Sequence, residues 1–172
     1  NALTSDGIFI FDGASQDRVS VGDKVRVTGT AAEYQGQSQV NLTAIHACGR
    51  GSLEPANISL PLSSAESLER FEGMLVSFPQ TLFVTDNTLL GRFGQVTLSS
   101  RERLFIPTAL AAPGAPAAAI QAENLLNQII LDDTQNQQNP ATIIFGRRGT
   151  PLSAANTLRA EDSVTGLTGV LT

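Results

Sequence analysis

The stretch VSVGDKVRVTGTAAEYQGQSQVNLTAI, residues 19–45, decides the fold class. In its first part Val19, Val21, Val25 and Val27 share one parity, while Ser20, Lys24 and Arg26 take the other. This is the period-two pattern of a strand with one buried face. Residues 34–37, Tyr-Gln-Gly-Gln, are typical of a turn, and the alternation resumes over residues 39–44. The stretch therefore predicts a β-hairpin.

The hairpin has features of a small barrel. Gly22 and Asp23 begin its first strand, and Gly29 stands where a barrel strand must bend sharply. A long strand with such a bend is typical of the OB-fold, a partly open Greek-key barrel. We therefore expect an OB-fold-like module around this hairpin.

Composition agrees with a β-rich chain and limits its partners. The 172 residues include 15 Gly and 8 Pro, and 41% are hydrophobic, enough for one large or two small domains. The formal charge of −5 repels phosphate, so binding to nucleic acid would require a local basic patch. Cys48 is the only cysteine, which excludes an intrachain disulfide. No apolar run is long enough for a membrane helix, so we expect no membrane partner.

Changes in pattern divide the chain into two modules. Residues 1–56 form the first, residues 57–72 read as a linker with a short helix capped by Ser63 and Glu66, and residues 73–172 form the second. In the second module we expect strands over residues 74–78 and 82–85, interrupted at Pro79, and over residues 94–99, 141–145 and 163–171, with a short further piece over residues 103–108. Apolar residues at helical spacing predict an inserted helix over about residues 116–130.

The last predicted strand echoes the first module. EDSVTGLTGVL at 161–171 is similar to GDKVRVTGT at 22–30, with one inserted residue that a β-bulge would accommodate. The fold class that follows is mainly β, with two OB-fold-like barrels in tandem, the second carrying the inserted α-helix. The first barrel would lack its first strand.

Six collinear runs resemble one known family. They are TSDGIFIF (4–11), VGDKVRVTGTAAEY (21–34), LERFEGMLVSFPQTLFVTDN (68–87), LGRFGQVTLSS (90–100), LNQIILDD (126–133) and LRAEDSVTGLTGVL (158–171). Together they resemble the non-catalytic region that precedes the catalytic domain in secreted bacterial nucleases of the endonuclease/exonuclease/phosphatase type. The similarity spans nearly the whole chain.

The resemblance implies an OB-fold-like module, an extracellular location and a multidomain parent. It also implies that a downstream domain carries divalent-metal-dependent cleavage, and that the present chain is a fragment of that parent. His46 is the only histidine, so the several histidines that such chemistry uses cannot be assembled here. We therefore expect this part not to be catalytic and to have no cofactor of its own.

One loop offers hard oxygen ligands for a metal. Asp132, Asp133 and Asn136 are close in sequence, and calcium accepts such ligands. The spacing of an EF-hand is absent, and loops of this composition are more often turns held by their own side chains. Calcium is therefore the candidate ion, against a favoured interpretation of a solvated turn.

Nucleic acid would need an exposed face of aromatic and basic side chains. Lys24, Arg26 and Tyr34 lie on the polar parity of the hairpin, beside the strand that contains Phe9 and Phe11. That strand is apolar on both faces, which favours a contact with the second module over a stacking platform. In the second module Arg92, Arg101, Arg103, Arg147 and Arg148 would form a patch only if folding brought them together.

These patterns leave two functions open. The favoured one is an accessory module that positions DNA or RNA, weakly, for a separate catalytic domain of the parent. The alternative is a structural or protein-interaction module that packs against that domain and does not bind nucleic acid. A missing first strand would also leave an open sheet edge, through which two copies could pair.

Overall fold

The structure is a computed structural model that describes residues 4–13, 18–135 and 137–172. It is mainly β, as the sequence predicts. The described strands are β1 (Phe9–Phe11), β2 (Asp23–Tyr34), β3 (Gln37–Arg50), β4 (Ala56–Asn57), β5 (Leu75–Phe78), β6 (Leu82–Asp86), β7 (Val96–Ser100), β8 (Gln128–Leu131), β9 (Ser163–Val164) and β10 (Leu167–Val170). The helices are α1 (Leu90–Phe93), α2 (Pro107–Leu110) and α3 (Ala115–Leu126), with 3-10 turns at Ala65–Phe71 and Arg147–Gly149.

Two compact units share the chain. The first contains residues 1–57, 68–77 and 168–172, and the second contains residues 58–67 and 78–167. The strands form three sheets within the described residues, with the orders β1-β3-β2, β10-β5-β4 and β8-β7-β6-β9. None of these sheets closes into a barrel, so the prediction of two tandem barrels is not confirmed.

The predicted hairpin is present. β2 and β3 pair antiparallel from Asp23–Arg50 to Tyr34–Gln37, and the turn between them has positive φ at Gln35 (52°) and Gly36 (88°). Positive φ at both central residues is the geometry of a tight type I′ hairpin turn. The register shifts between Thr28 and Gly29, where β3 carries Thr43 as the extra residue of a β-bulge, opposite the predicted bend. A Cβ on Gly29 would lie 2.6 Å from Val40 Cγ1, which explains why glycine stands there.

The core of the second unit lies on one face of its four-stranded sheet. Leu82 and Val84 on β6 and Leu98 on β7 are 0% exposed, and Val96 is 1% exposed. Val84 pairs with Leu98, and Leu98 pairs with Ile129 on β8, so the same face continues across the sheet. Ala117 on α3 is also buried in this unit.

The segment predicted as a helix over about residues 116–130 ends earlier than expected. α3 stops at Leu126, and Gln128–Leu131 pairs with β7 as a strand. Ile129 and Ile130 fit a helical stripe in sequence, but β7 offers them a ladder of backbone hydrogen bonds. Here tertiary pairing overrides local periodicity.

Three further strand predictions differ from the structure. Residues 141–145 form no strand, and residues 103–108 lead into α2, which has Pro107 in its first turn. The predicted last strand is broken at Gly166 (φ 65°) into β9, which pairs with β6, and β10, which joins β5. β2, by contrast, is one continuous strand, so the structure does not reproduce the echo between residues 22–30 and 161–171.

The predicted short linker helix is a 3-10 turn at Ala65–Phe71. The Ser67 hydroxyl accepts a hydrogen bond from the Ser64 backbone N–H at 3.0 Å. A hydrogen bond from the backbone N–H of Glu66 and another from the Ser64 hydroxyl lower the pKa of the Glu66 carboxyl. Ser64, and not Ser63, is therefore the serine that contacts Glu66.

Candidate functional site

The hairpin register decides which side chains share a surface in the first unit. Directly paired residues lie on the same face of a sheet. Arg26 pairs with His46, Ala32 with Gln39 and Tyr34 with Gln37, while Phe9 and Phe11 on β1 pair with Gln39 and Asn41. One face therefore carries residues that we call the hairpin face: Phe9, Phe11, Lys24, Arg26, Thr28, Thr30, Ala32, Tyr34, Gln37, Gln39, Asn41, Ala44 and His46.

The aromatic rings of the hairpin face are open to solvent. Phe9 is 44% exposed, Phe11 52% and Tyr34 62%. The sequence favoured a contact of this face with the second module, which remains a prediction, and in the structure both Phe9 and Phe11 are exposed. Ile10, the middle residue of β1, pairs with Val40 on the opposite face of the sheet. It is the most buried of the three residues of this strand.

The basic side chains of the hairpin face are uncompensated. Lys24 and Arg26 are exposed, and neither side chain has an ion-pair or hydrogen-bond partner in the part of the chain that the structure describes. Asp23, the nearest acid in sequence, is held instead by Arg50, whose Nη1 lies 2.8 Å from Asp23 Oδ1. Two positive charges therefore stand at one end of the face although the chain as a whole is acidic.

The opposite face of the same sheet is apolar but only half-buried. Val25, Val27, Val40, Leu42 and Ile45 all fall between buried and exposed. The hairpin face is polar apart from its three rings and its alanines, and Gln39 Nε2 donates to Asn41 Oδ1 at 2.7 Å along it. The rings therefore lie among hydrogen-bonding groups that a nucleobase can use.

The five arginines of the second module lie in four different environments. Arg92 donates from Nε and Nη2 to the Gln138 side-chain oxygen at 3.3 and 3.1 Å. Arg147 holds Asp162, with Nη2 to Oδ1 at 2.7 Å and Nε to Oδ2 at 3.1 Å, while Arg148 is exposed. Arg101 and Arg103 line one pocket together. The structure places Arg101 and Arg103 in the wall of one cavity. A single patch formed by all five arginines remains a prediction.

The Asp162 carboxyl, which pairs with Arg147, has a pKa below its usual range. Burial raises the pKa of Asp162, but hydrogen bonds from the Arg147 side chain and the Arg159 backbone, with the charges of both arginines, lower it by more. The Asp162 carboxylate also raises the pKa of Arg147. This pair fixes the loop next to Glu161.

We call the cavity that contains Arg101 and Arg103 the loop pocket. It has a volume of about 380 Å³ and is lined by Phe83, Arg101, Glu102, Arg103, Phe105 and Glu161. Phe83 pairs with Ser99 on the sheet face opposite Leu82 and Val84, so the pocket stands on the outer side of the buried sheet. Arg101 and Arg103 were predicted from the sequence as binding residues. No sequence pattern predicted that Phe83, Phe105 and Glu161 would line the same pocket.

Two loops contribute to the wall of the loop pocket, one over residues 101–105 and one that contains Glu161, and hydrogen bonds within the protein hold both. The fully buried Ser99 hydroxyl donates to the Glu102 carbonyl at 2.8 Å, and the Leu104 N–H donates to Thr85 Oγ1 at 3.1 Å. On the other loop the Glu161 N–H donates to the Val84 carbonyl at 2.8 Å. The backbone of both walls is therefore held by the protein's own hydrogen bonds.

Two residues of the pocket have backbone conformations that L-residues rarely adopt. Arg101 has φ 71° and Glu161 has φ 73°. Left-handed residues other than glycine cost energy and cluster at ligand-binding sites, where the surroundings hold them in place. One such residue comes from each loop of the loop pocket.

Two of the three proposed calcium ligands, Asp132 and Asp133, accept hydrogen bonds from their own part of the chain. Asp133 is 6% exposed, and its Oδ1 accepts from the Gln135 backbone N–H at 3.0 Å. Asp132 accepts from the Thr134 N–H and from Gln95 Nε2, while Asn136 lies outside the described residues. No group of three or more His, Cys, Asp or Glu that could hold a metal occurs in residues 4–13, 18–135 and 137–172. Both aspartates accept hydrogen bonds from backbone N–H groups two residues further along, as in an Asx turn, and calcium binding by this loop remains a prediction.

No helix within the described ranges is both long and apolar enough to cross a membrane. In comparisons with known proteins, no protein family, curated protein or solved structure matches the chain.

Proposed function

We propose that this chain is a non-catalytic module that holds single-stranded nucleic acid on the hairpin face for a separate catalytic domain of a secreted nuclease. The observation that carries the proposal is the exposure of Phe9, Phe11 and Tyr34 on the same sheet face as Lys24 and Arg26. Stacking rings and uncompensated cations on one surface are what sequence-tolerant single-strand binding requires.

The dimensions of the face suit an extended strand. Arg26 and Tyr34 are eight residues apart on β2, so they lie up to roughly 26 Å apart along the strand. Between them the hairpin is irregular, because β3 carries a β-bulge at Thr43, opposite Thr28 and Gly29. A sheet with its rings on one surface supports an OB-like arrangement in which the backbone of the nucleic acid follows the cations and its bases lie on the rings.

Weak binding is sufficient for this role. The net charge of −5 opposes phosphate at long range, and only Lys24 and Arg26 carry charge on the described strands of the face. A module linked to a catalytic domain raises the local concentration of its substrate even at modest affinity. The metal-dependent cleavage itself would belong to that other domain.

The test is titration of a fluorescent single-stranded DNA of about 12 nucleotides, within the span that OB-folds bind, with anisotropy as the readout. We expect salt-sensitive binding. Replacing Phe9 and Phe11 by Ala removes two stacking surfaces, each worth about 1–3 kcal/mol, so affinity falls by about tenfold or more. The K24Q/R26Q double variant lowers the slope of log affinity against log salt by about 0.7 for each phosphate that the hairpin face no longer neutralises.

Arg70→Gln is the matched control. Arg70 is exposed on the 3-10 turn, outside the hairpin face, and its guanidinium lies over the Phe71 ring at 4.5 Å. It removes the same charge as a single change at Arg26 and is expected to leave the salt slope unchanged. Absence of binding at low salt would exclude the proposal and leave the structural or protein-interaction function.

A further inference from the structure

The loop pocket is a second candidate site, independent of the hairpin face. At about 380 Å³ it lies near the lower end of the roughly 300–1,000 Å³ range of small-molecule sites. All six lining residues belong to the second unit. The cavity has room for one small molecule, and the side chains that line it limit the chemical class of that molecule.

Arg103 is poorly satisfied where it stands. Its Nη1 lies 3.9 Å from Glu161 Oε1, at the outer limit of an ion pair, and its guanidinium lies 5.2 Å from the Phe105 ring centroid. Its Nε is buried and has no hydrogen-bond partner among the described residues. A guanidinium stacked on a ring in this way extends the flat surface on which another planar group can lie.

The pocket wall carries two arginines and two glutamates. These side chains are complementary to a ligand that has both hydrogen-bond donors and a negative group. Arg101 is exposed and has no side-chain partner in the described part of the chain, so it is free to bind an anion. Glu161, 67% exposed along its side chain, and Glu102 accept hydrogen bonds only. A simple anion would meet repulsion from both carboxylates, and a purely apolar molecule would leave Arg101 and Glu102 without partners and the Arg103–Glu161 pair no closer than 3.9 Å.

We propose that the loop pocket binds a single nucleotide whose base carries an exocyclic amino group. The base lies against Phe105 and Phe83, its amino edge donates to a carboxylate of Glu161 or Glu102, and its phosphate binds Arg101. Carboxylates select amino edges such as cytosine N4, because thymine presents a carbonyl oxygen at the same position. Unstacked bases lie on aromatic and guanidinium planes in the same manner.

Isothermal titration of the whole chain with dCMP, dTMP, deoxycytidine, inorganic phosphate and phenylalanine tests this assignment. We expect dCMP to bind at least about fivefold more tightly than dTMP, the lower end of discrimination by one base-edge contact. Phosphate alone and phenylalanine are expected not to bind. In 15N spectra the Arg103 Nε–H resonance is expected to shift with dCMP.

Two arginine variants separate a pocket contact from a change in folding. Arg101→Gln is expected to weaken dCMP binding and to leave deoxycytidine binding unchanged. Arg148→Gln is the matched control, since Arg148 is also exposed and left-handed (φ 60°) but does not line the pocket. It is expected to leave both ligands unaffected.

Equal binding of dCMP and dTMP, binding of phosphate or phenylalanine in their place, or no binding at all would overturn the proposal. The F9A/F11A double variant keeps the two tests apart, because it alters the hairpin face and leaves every pocket residue in place. Retained dCMP binding by that variant supports a separate site. Lost dCMP binding by a folded F9A/F11A variant would contradict it.

Discussion

The two units carry sheets with similar alternating patterns and opposite burial. In the second unit Leu82, Val84 and Leu98 are fully buried on one face. In the first unit β1, β2 and β3 carry the same kind of alternation, yet none of their described residues is buried. A period-two pattern thus identifies the apolar face of a strand, but other elements must cover that face before it becomes a core. The buried sheet is suited to act as scaffold, and the open one has surface left for binding.

The sharpest way to break this comparison is a matched pair of leucine truncations. Leu98→Ala removes a fully buried side chain and is expected to cost about 2–5 kcal/mol of unfolding free energy. Leu42→Ala on the half-buried face of β3 is expected to cost about 1 kcal/mol, because much less apolar area leaves the interior.

Native-state hydrogen exchange provides the readout for both variants, since it reports the stability of each unit separately. Equal costs at Leu98 and Leu42 would show that the first unit has a core of the same quality as the second. That result would remove the distinction between scaffold and binding surface.

The next largest effect is expected at the bend of the hairpin. An alanine Cβ at Gly29 would meet the Asn41 carbonyl and lie 2.6 Å from Val40 Cγ1, so β3 must shift. Overpacking of this kind costs about 1–3 kcal/mol. Gly51→Ala is the control, because a Cβ there meets nothing within 4 Å. Thermal unfolding followed by circular dichroism compares them, and a Gly29→Ala protein as stable as Gly51→Ala would contradict the described register.

The exposed rings are expected to matter less for stability than for binding. Phe9→Ala and Phe11→Ala each remove a ring that is about half exposed, so we expect a cost of about 1 kcal/mol or less for each. Denaturant unfolding measures it. A cost close to that of Leu98→Ala would mean that the rings serve a core, and the loss of DNA binding could then not be assigned to stacking.

The smallest expected effect concerns pH and the second unit. The lowered pKa of Asp162 means that its interactions stabilise the fold above the unfolded pKa of aspartate, and that this stability is lost as the pH falls through the folded value. Asp162→Asn is therefore expected to lower the melting temperature slightly at neutral pH, and the difference from the original protein narrows on acidification. A difference that stays constant as the pH falls would show that charge is not its cause.

Local chemistry made the hairpin predictable. Residues close in sequence determine the Gln35–Gly36 turn, the irregular pairing at Gly29 and the alternation of β2. Lys24, Arg26 and Tyr34 could be placed on one face because a strand has a fixed period. The burial of Phe9 and Phe11 could not be judged, since it depends on what else packs against β1.

Elements that depend on distant partners were harder to predict. Ile129 belongs to a strand because Leu98 is there to pair with it, and residues 163–170 divide between two sheets at Gly166. The loop pocket joins Phe83, residues 101–105 and Glu161 across many positions of the chain. The left-handed backbone of Arg101 and Glu161 has no signature in their side chains.

Mapping of amide chemical shifts with single-stranded DNA tests the central claim most directly. If the open sheet is the binding surface, the largest changes appear along β1 and β2, at Phe9, Phe11, Arg26 and Tyr34, and they weaken as salt is added. Amides of the buried strand segments around Val84 and Leu98 remain in place. Titration to saturation with no change along β1 and β2 would contradict the account.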